Sequence, residues 1–215
     1  MANGLRNRLA IRYSVEGDLR FISHHDSLRL FERAMIRADF PLRYSEGFNQ
    51  RPKLSIALPR PVGVASRDEL LVITLTEPTE PSTALSRLSP HMPQGLVLLD
   101  AEPVEDSDRR LPCEATYTMP MTDDACETVL ARARSFLASD SQIVERHAAD
   151  SRNPAKKVDI RPYIRSIDVS DGMLRWTQIV TGTGTSRVGE ILDLLGLPSC
   201  LHLHRLTRES VKYEP

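Results

Sequence analysis

Hydrophobic and polar positions follow a regular pattern in the first part of the chain. Residues 9–15 alternate between apolar and polar side chains, which predicts a strand with one buried face. Ser23 and Asp26 have the spacing of a capping box, so a helix is expected to begin there. Pro41 then ends this helix by Phe40. The apolar stripe of the helix, at spacings of three and four, consists of Leu28, Phe31, Met35 and Ala38.

Further strands and a second helix complete the first half of the chain. The apolar positions predict strands at residues 42–44, 53–58, 69–76 and 96–99. A helix is predicted over residues 81–88, with a proline in its first turn. The resulting order, β-α-β-β-β-α-β, is that of a ferredoxin-like lobe with one additional strand or hairpin arm.

The second half repeats this order after a polar, acidic and proline-bounded stretch at residues 102–112. Its strands are predicted at 116–121, 142–147, 156–168, 173–180 and 201–207, and its helices at 123–138 and 187–195. The segment at 156–168 is either one long strand or a pair of strands. We therefore predict an α+β protein of two tandem ferredoxin-like lobes, residues 1–101 and 113–215, with residues 102–112 as the linker. In each lobe, a largely antiparallel sheet carries its helices on one face.

Composition narrows the class of protein. With 215 residues, of which 40% are hydrophobic and 27% charged, the chain can bury a packed core. No apolar run approaches the length of about 18 residues that spans a membrane, and the N-terminus lacks a signal-peptide pattern. We therefore expect a cytoplasmic protein without a membrane partner. Cys113, Cys126 and Cys200 are far apart, so neither a metal site, a disulfide framework nor an iron–sulfur cluster is predicted, and no cofactor is expected.

The net charge of −1 conceals a gradient along the chain. Residues 1–60 contain eleven Lys/Arg and six Asp/Glu, whereas residues 61–112 contain four and nine. Residues 113–215 are nearly balanced, with thirteen and fourteen. A basic segment beside an acidic one indicates a surface that faces a polyanion. Ordinary surface charge is the alternative interpretation.

Three arginines of the first predicted helix, Arg29, Arg33 and Arg37, are four residues apart and share one face. Guanidinium groups suit phosphate because their planar fork donates two parallel hydrogen bonds. The alternative is a solvent-exposed face on which Glu32 pairs with neighbouring arginines. The basic residues that flank this helix in sequence are Arg20, Arg43, Arg51, Lys53 and Arg60. The aromatic residues among them, which could stack on unpaired bases, are Tyr13, Tyr44 and Phe48.

The loop at residues 45–52 has an unusual composition. Gly47 permits a backbone conformation barred to other residues, and Phe48 is a large apolar side chain in a polar loop. Asn49, Gln50 and Arg51 supply donors that could read base edges or bind an anion. The loop therefore indicates a binding function. A structural hairpin with Phe48 folded inward is the alternative.

Two further sites are weaker candidates. A glycine-rich segment at residues 181–187 ends in Arg187 just before a predicted helix and could hold a phosphate, or form a plain strand-to-helix turn. His24, with Lys53, could serve as acid or base on an RNA 2′-hydroxyl, although a histidine at a helix N-terminus is commonly neutral and structural. His202 and His204 alternate on a predicted strand and make only a weak metal site.

Four segments of the first half form a pattern that resembles a known family. They are residues 17–24 (GDLRFISH), 30–34 (LFERA), 44–49 (YSEGFN) and 52–55 (PKLS). They resemble the opening of the uncharacterised radical-SAM-linked protein family, and the likeness spans about residues 8–76. In the second half, residues 158–162 (VDIRP) and Arg187 also fit the pattern. Because members stand beside or fused to a radical-SAM protein, often near genes for an RNase and ribosomal proteins, the resemblance implies a role in RNA maturation.

The chain departs from the family pattern at three places. Gln50 and Arg51 stand where the family usually has Pro-His, His25 stands where it has an apolar residue, and Val188 stands where it commonly has a proline. A catalytic or ligand histidine in the loop would thus be missing here, whereas Arg51 keeps a cationic donor. The departure therefore favours binding over catalysis.

We expect an RNA-binding accessory protein that presents ribosomal or transfer RNA to a separate radical-SAM enzyme and has no catalytic activity of its own. The alternatives are a metal-independent endoribonuclease that uses His24 and a protein-only adaptor that docks the radical-SAM partner through its acidic middle. The residues expected to bind RNA or an anion are Arg20, Arg29, Arg33, Arg37, Tyr44, Phe48, Asn49, Arg51, Lys53 and Arg187.

Overall fold

A largely antiparallel sheet and five helices make up the α+β fold of the residues that the structure, a computed structural model, describes: 7–105, 107–147 and 155–214. These residues divide into two units between Leu111 and Pro112, and Tyr213 and Glu214 belong to the first unit. Within the described ranges, no helix is long and apolar enough to cross a membrane. Residues 1–6 of the predicted first lobe and residue 106 of the predicted linker lie outside these ranges.

The first unit has the element order β-α-β-β-α-β. Its strands pair antiparallel in the order β4-β1-β3-β2. The elements are β1 (Arg8–Val15), α1 (His24–Arg37), β2 (Leu54–Ile56), β3 (Ala65–Thr74), α2 (Pro81–Leu88) and β4 (Leu96–Pro103).

Alternation along β1 sends its side chains into two clusters. Leu9, Ile11, Tyr13 and Val15 are buried together with residues of both α1 and α2, so the two helices cover the same face of the sheet. Tyr13 meets Phe31 of α1 edge to face, with ring centroids 4.8 Å apart. The opposite face carries a smaller buried cluster formed by Ala10, Leu70, Val72 and Val104.

Both ends of α1 follow from local chemistry. The predicted capping at its start is confirmed, because the Asp26 amide donates to Ser23 Oγ at 3.1 Å and Ser23 Oγ donates to the Asp26 carboxylate at 2.7 Å. At its end, the guanidinium of Arg87 donates to the carbonyl oxygens of Ala38 (2.8 Å) and Asp39 (2.5 Å). These bonds satisfy carbonyls that a helix end leaves without intrahelical partners.

A second arginine, Arg60, fastens the turn that precedes α1. Residues Gly17–Phe21 form a short 3-10 helix, and the Arg60 guanidinium donates to the carbonyl oxygens of Leu19 (3.0 Å) and Arg20 (2.7 Å). The same guanidinium donates to Val64 O at 2.5 Å and more weakly to Pro61 O at 3.4 Å. Arg60 therefore acts as an internal cross-link of the first unit, not as part of a phosphate-facing surface.

The first unit has one strand fewer than predicted. Residues 42–44 form only two isolated bridges, Leu42 with Leu75 and Tyr44 with Pro52. The predicted linker is also shorter, because β4 extends to Pro103 and β5 begins at Leu111. Alternation in three residues is too short a pattern to distinguish a strand from a bridged loop.

The remainder of the predicted linker is tied to the first unit. Val104 is buried, and its amide donates to Arg8 O at 2.9 Å. Arg8 Nη1 donates to the carbonyl oxygens of Glu105 (2.5 Å) and Asp108 (3.0 Å). Much of the acidic charge here is neutralised internally, since Arg110 pairs with Glu102 at 2.9 Å and with Asp108 at 2.8 Å. This weakens the interpretation of the stretch as a docking surface.

The second unit is built around the antiparallel strands β5, β9 and β8. Its main sheet has the order β10-β5-β9-β8, and β6 and β7 pair separately. The elements are β5 (Leu111–Pro120), α3 (Asp123–Leu137), β6 (Ile143–Arg146), β7 (Lys156–Asp159), β8 (Ile164–Ser170), β9 (Met173–Ile179), α4 (Val188–Leu194), α5 (Ser199–His202) and β10 (Thr207–Glu214).

The core of the second unit centres on two stacked aromatic rings. Tyr117 and Trp176 lie on neighbouring strands with ring centroids 5.3 Å apart, and both are fully buried. The buried positions of α3 are Val129, Ala133 and Phe136, which lie four and three residues apart on one face of the helix. Arg161 donates to Leu137 O at 2.8 Å and to Ser139 O at 3.2 Å, so it closes the C-terminal end of α3.

One strand prediction of the second half was wrong, and for another the structure decides between the two alternatives. Residues 156–168 contain parts of two strands, β7 and β8, and not one long strand, because the 3-10 turn at Arg161–Tyr163 separates them and Pro162 cannot donate to a ladder. The predicted strand at 201–207 is the end of α5 and a 3-10 turn, and the last strand begins at Thr207. His202 therefore lies in α5 and His204 in the turn that follows. Among the described residues, no group of three or more His, Cys, Asp or Glu could hold a metal ion.

We expect Arg60→Met to destabilise the protein by about 2 kcal/mol, because several part-buried carbonyl oxygens lose their donor. Urea unfolding followed by circular dichroism measures the change in the free energy of unfolding. Arg134→Met, at an exposed position of α3, is the matched control and should change stability by less than about 0.5 kcal/mol. Equal effects of the two substitutions would show that Arg60 is not a cross-link.

Candidate nucleic-acid interface

The loop at residues 45–52 is closed at its base by two hydrogen bonds between Ser45 and Arg51. The Ser45 amide donates to Arg51 O at 2.8 Å, and the Arg51 amide donates to Ser45 Oγ at 3.0 Å. Tyr44 and Pro52 form an antiparallel bridge on either side of these bonds. Gly47 has a φ of +128°, which L side chains rarely adopt, so this position requires glycine.

Phe48 stands at the tip of this loop with an exposed fraction of 103%. The alternative in which Phe48 folds inward is therefore wrong. Tyr44, at the base of the loop, is 41% exposed, and Asn49 and Arg51 are exposed as well. Burial of a phenylalanine side chain contributes about 1.5–3 kcal/mol, so the exposed ring offers a partner substantial binding free energy.

The arginine stripe of α1 lines one groove, as its spacing predicts. Arg29, Arg33 and Arg37 are exposed and form one wall, and the turn at residues 90–93 forms the other. The groove has a volume of about 630 Å³. Arg37 Nη2 donates to His91 O at 3.1 Å, which fixes this side chain at one end of the groove.

Arg29 also has an acidic neighbour, since its guanidinium lies 3.5 Å from the Asp26 carboxylate. Both side chains are more than half exposed, and such surface pairs contribute little free energy because water and salt screen them. Side-chain hydrogen bonding to Ser23 is the main cause that lowers the pKa of Asp26, so this carboxylate is charged at neutral pH. The groove thus has a cationic wall with one anionic member.

A second pocket lies next to this groove on α1, against the base of the loop, and Arg29 lines both. It has a volume of about 470 Å³ and brings Arg51 near Arg29, although 22 positions separate them in sequence. Glu32 lines this pocket together with Arg29, and no hydrogen bond or ion pair joins its carboxylate to an arginine of the described residues. The described residues of the lining are His25, Leu28, Arg29, Glu32, Arg51, Pro52 and Leu54.

The sequence matches a protein family over a defined range of residues. A family model described as an uncharacterized protein conserved in bacteria (DUF2344) matches residues 8–189. The chain belongs to this family. No curated protein matches it. The matched range includes α1, the loop at residues 45–52 and both pockets beside α1, and the DUF2344 description assigns them no activity.

Two predicted site residues of this DUF2344 chain, Arg20 and Lys53, lie outside both the groove and the second pocket. Arg20 lies in the 3-10 helix, where Nε donates to Gly17 O at 2.9 Å and the guanidinium lies 5.8 Å from the Phe21 ring centroid. Lys53 is exposed, and its amide donates to Arg43 O at 2.7 Å. Neither residue lines the groove or the second pocket.

His24 faces the interior of the first unit. Its side chain and that of Arg60 line a cavity of about 10 Å³, which has room for about one water molecule. His24 Nδ1 is buried without a hydrogen-bond partner among the described residues. Burial, and secondarily the neighbouring His25, lower the pKa of His24. A cavity of this size does not admit a phosphate, and the described contacts do not join His24 to Lys53, so the geometry gives no support to the proposed acid–base pair.

Arg187 lies in the second unit at the N-cap of α4. Its amide donates to the Glu190 carboxylate at 2.8 Å, and Arg146 donates to the same carboxylate at 2.7 and 2.8 Å. Burial tends to raise the pKa of Glu190, but these bonds outweigh burial and lower it. The amides of Thr181 and Gly184 are bonded to each other's carbonyl oxygens, so they are engaged within the turn. This geometry favours the strand-to-helix turn over a phosphate loop.

Sequence reasoning missed the second pocket as a unit. The sequence pattern indicated Glu32 only as a possible partner for arginines, and His25 only as a departure from the family pattern. Leu28 and Leu54 appeared as apolar positions of a helix and a strand. No local signal joins α1 to the base of the loop, because their proximity follows from the pairing of β2 with β3.

We expect Phe48→Ala to leave stability unchanged, because the ring is fully exposed and makes no contribution to the core. Phe31→Ala is the matched contrast: this ring is fully buried and its removal should cost about 3–5 kcal/mol. Thermal unfolding by calorimetry distinguishes the two variants. A loss of stability in Phe48→Ala comparable with that of Phe31→Ala would contradict the exposed position.

The lowered pKa of His24 predicts a pH dependence of stability. The unfolded chain binds a proton at His24 more readily than the folded chain does. The contribution of His24 to the free energy of unfolding is therefore fully present above pH 6.5. It is lost as pH falls from 6.5 towards the folded-state pKa. The free energy of unfolding should decrease as pH falls from about 7.5 to 5, and we expect a smaller decrease in His24→Asn than in the wild type. Urea unfolding at each pH measures it. His147→Asn, at an exposed position, should keep the wild-type slope.

Proposed function

We propose that this DUF2344 protein is an RNA-binding accessory protein that works with a separate radical-SAM enzyme in RNA modification or ribosome maturation. The observation that carries the proposal is the fully exposed Phe48 at the tip of a closed loop, on the same unit as an arginine-lined groove. Aromatic rings stack on unpaired bases, and arginines bind the phosphates between them.

The groove suits a nucleic-acid backbone in two respects. Arginines four residues apart on a helix are separated by one turn, which is comparable with the distance between neighbouring phosphates of a strand. The wall opposite them, at residues 90–93, contributes backbone and apolar groups and the imidazole of His91, and among the described lining residues Asp26 alone is acidic. Ribosomal or transfer RNA is the expected partner, through the RNA-maturation role that the radical-SAM-linked resemblance implies.

The fold that we infer for both units is ferredoxin-like. In the first unit, the element order β-α-β-β-α-β, the strand order β4-β1-β3-β2 and two helices on one face support this inference. In the second unit, the order β10-β5-β9-β8 follows the same scheme, with β6 and β7 as an inserted hairpin. Such sheets with helices on one face are used repeatedly for RNA binding.

The partner and the location are part of the same proposal. A radical-SAM enzyme needs closely spaced cysteine ligands for its cluster, and this chain has three widely spaced cysteines, all of them free. A separate protein would therefore supply the radical chemistry. Free thiols also suit a reducing compartment, so we place the protein in the cytoplasm.

The proposal predicts salt-dependent RNA binding that weakens in two distinct ways. Phe48→Ala should lose about 1–3 kcal/mol of affinity, because one stacking platform is removed. Arg33→Gln should also weaken binding and reduce the dependence of log K on log salt by about 0.7, because one phosphate contact is lost. Fluorescence anisotropy with an unstructured RNA and with transfer and ribosomal RNA transcripts, at several salt concentrations, measures both quantities.

Arg134→Gln is the control for this experiment, because it removes the same charge from an exposed position of α3 in the second unit. It should leave both the affinity and the salt dependence close to those of the wild type. Absence of RNA binding by the wild type at low salt would refute the proposed function. An equal loss of affinity in Arg33→Gln and Arg134→Gln would indicate only nonspecific attraction.

A further inference from the structure

The pocket between α1 and the base of the loop combines apolar side chains with groups of both charges. Apolar side chains contribute three of its seven lining residues, Leu28, Pro52 and Leu54. Two arginines, Arg29 and Arg51, approach it from different elements. Its volume of about 470 Å³ lies within the range of about 300–1,000 Å³ that is typical of small-ligand sites.

Glu32 is the acidic member of this pocket. It is half-buried, and no described residue forms a hydrogen bond or an ion pair with its carboxylate. A carboxylate is purely an acceptor, so it recognises groups that present adjacent N–H donors. Arg29, three residues before it on the same helix, lines the same pocket and presents only donors.

A carboxylate that uses both of its oxygens needs two adjacent N–H donors, and beside an acceptor for Arg29 these occur on one nucleobase edge. The Watson–Crick edge of guanine presents the O6 acceptor followed by the N1–H and N2–H₂ donors. Adenine and cytosine each place a ring-nitrogen acceptor beside their amino group, and uracil flanks its single N–H with two oxygens. With both oxygens of the Glu32 carboxylate facing the edge, each of these three bases would place an acceptor lone pair against one of them, which is repulsive.

We propose that this pocket binds an unpaired guanine of the RNA. Glu32 accepts from N1–H and N2–H₂, Arg29 donates to O6, and the base lies against Leu28 and Leu54. Arg51, at the entrance from the loop, binds the phosphate of the same nucleotide. The inference rests on the proposed function and deepens it, because reading this edge requires a base that is not paired to another strand.

The test compares short unstructured RNAs that are identical except for one central G, A, U or C. We expect the wild type to bind the G-containing RNA about tenfold more tightly than the others. Glu32→Gln keeps the shape of the side chain but turns an amide N–H₂ towards the guanine donors. The ratio of affinities for G over A should therefore fall to near one. A ratio is measured because loss of a negative charge raises the affinity for every RNA.

Glu127→Gln, at an exposed position of α3, is the matched control and should keep the preference for G. Circular dichroism melting of each variant establishes that the fold is retained. RNA binding by the wild type without a preference for G, or a preference that survives in Glu32→Gln, would overturn the guanine pocket and leave the RNA-binding function standing. Absence of binding to all four RNAs would overturn both.

Discussion

Carbonyl oxygens at the ends of short helices and tight turns need hydrogen-bond donors, and this requirement organises both units. A helix end leaves several carbonyls without intrahelical partners. Arg87 satisfies them at the end of α1, and Arg161 does so at the end of α3. Arg60 donates hydrogen bonds to carbonyl oxygens of the 3-10 helix and to the carbonyl oxygen of Val64, four residues after Arg60. One planar guanidinium serves several acceptors in fixed directions, which a lysine ammonium cannot do equally well.

This use of arginine changes the meaning of the charge gradient. Counted along the sequence, the first 60 residues are strongly basic, but several of the cations that produce the excess serve the main chain. Arg8 holds the segment after β4, and Arg60 is an internal cross-link. Arg12 pairs with the carboxylate of Asp68. The cations that remain directed at solvent concentrate on one face of α1 and at the loop beside it, so a diffuse sequence bias becomes a local surface.

The sequence was most informative where structure depends on neighbours along the chain. The start of α1 at Ser23, its apolar stripe and its arginine face follow from spacings of three and four, and all were predictable. The alternation at residues 201–207 was misleading, because an alternation over so few residues does not distinguish a strand from a one-turn helix followed by a 3-10 turn. Two features depend on how the loop packs beside α1: the exposure of Phe48, and the pocket that contains Glu32 and Arg51. No local sequence pattern determines this packing.

The closed base of the loop explains how a fully exposed aromatic ring can be useful. A ring on a flexible segment would lose much of its binding free energy in ordering that segment. Here the Ser45–Arg51 bonds and the bridge between Tyr44 and Pro52 order the stem before any partner arrives. The same stem positions Arg51 at the pocket beside α1. Stacking at the tip and recognition at the base would then act through the same loop, because Phe48 and Arg51 lie on it together.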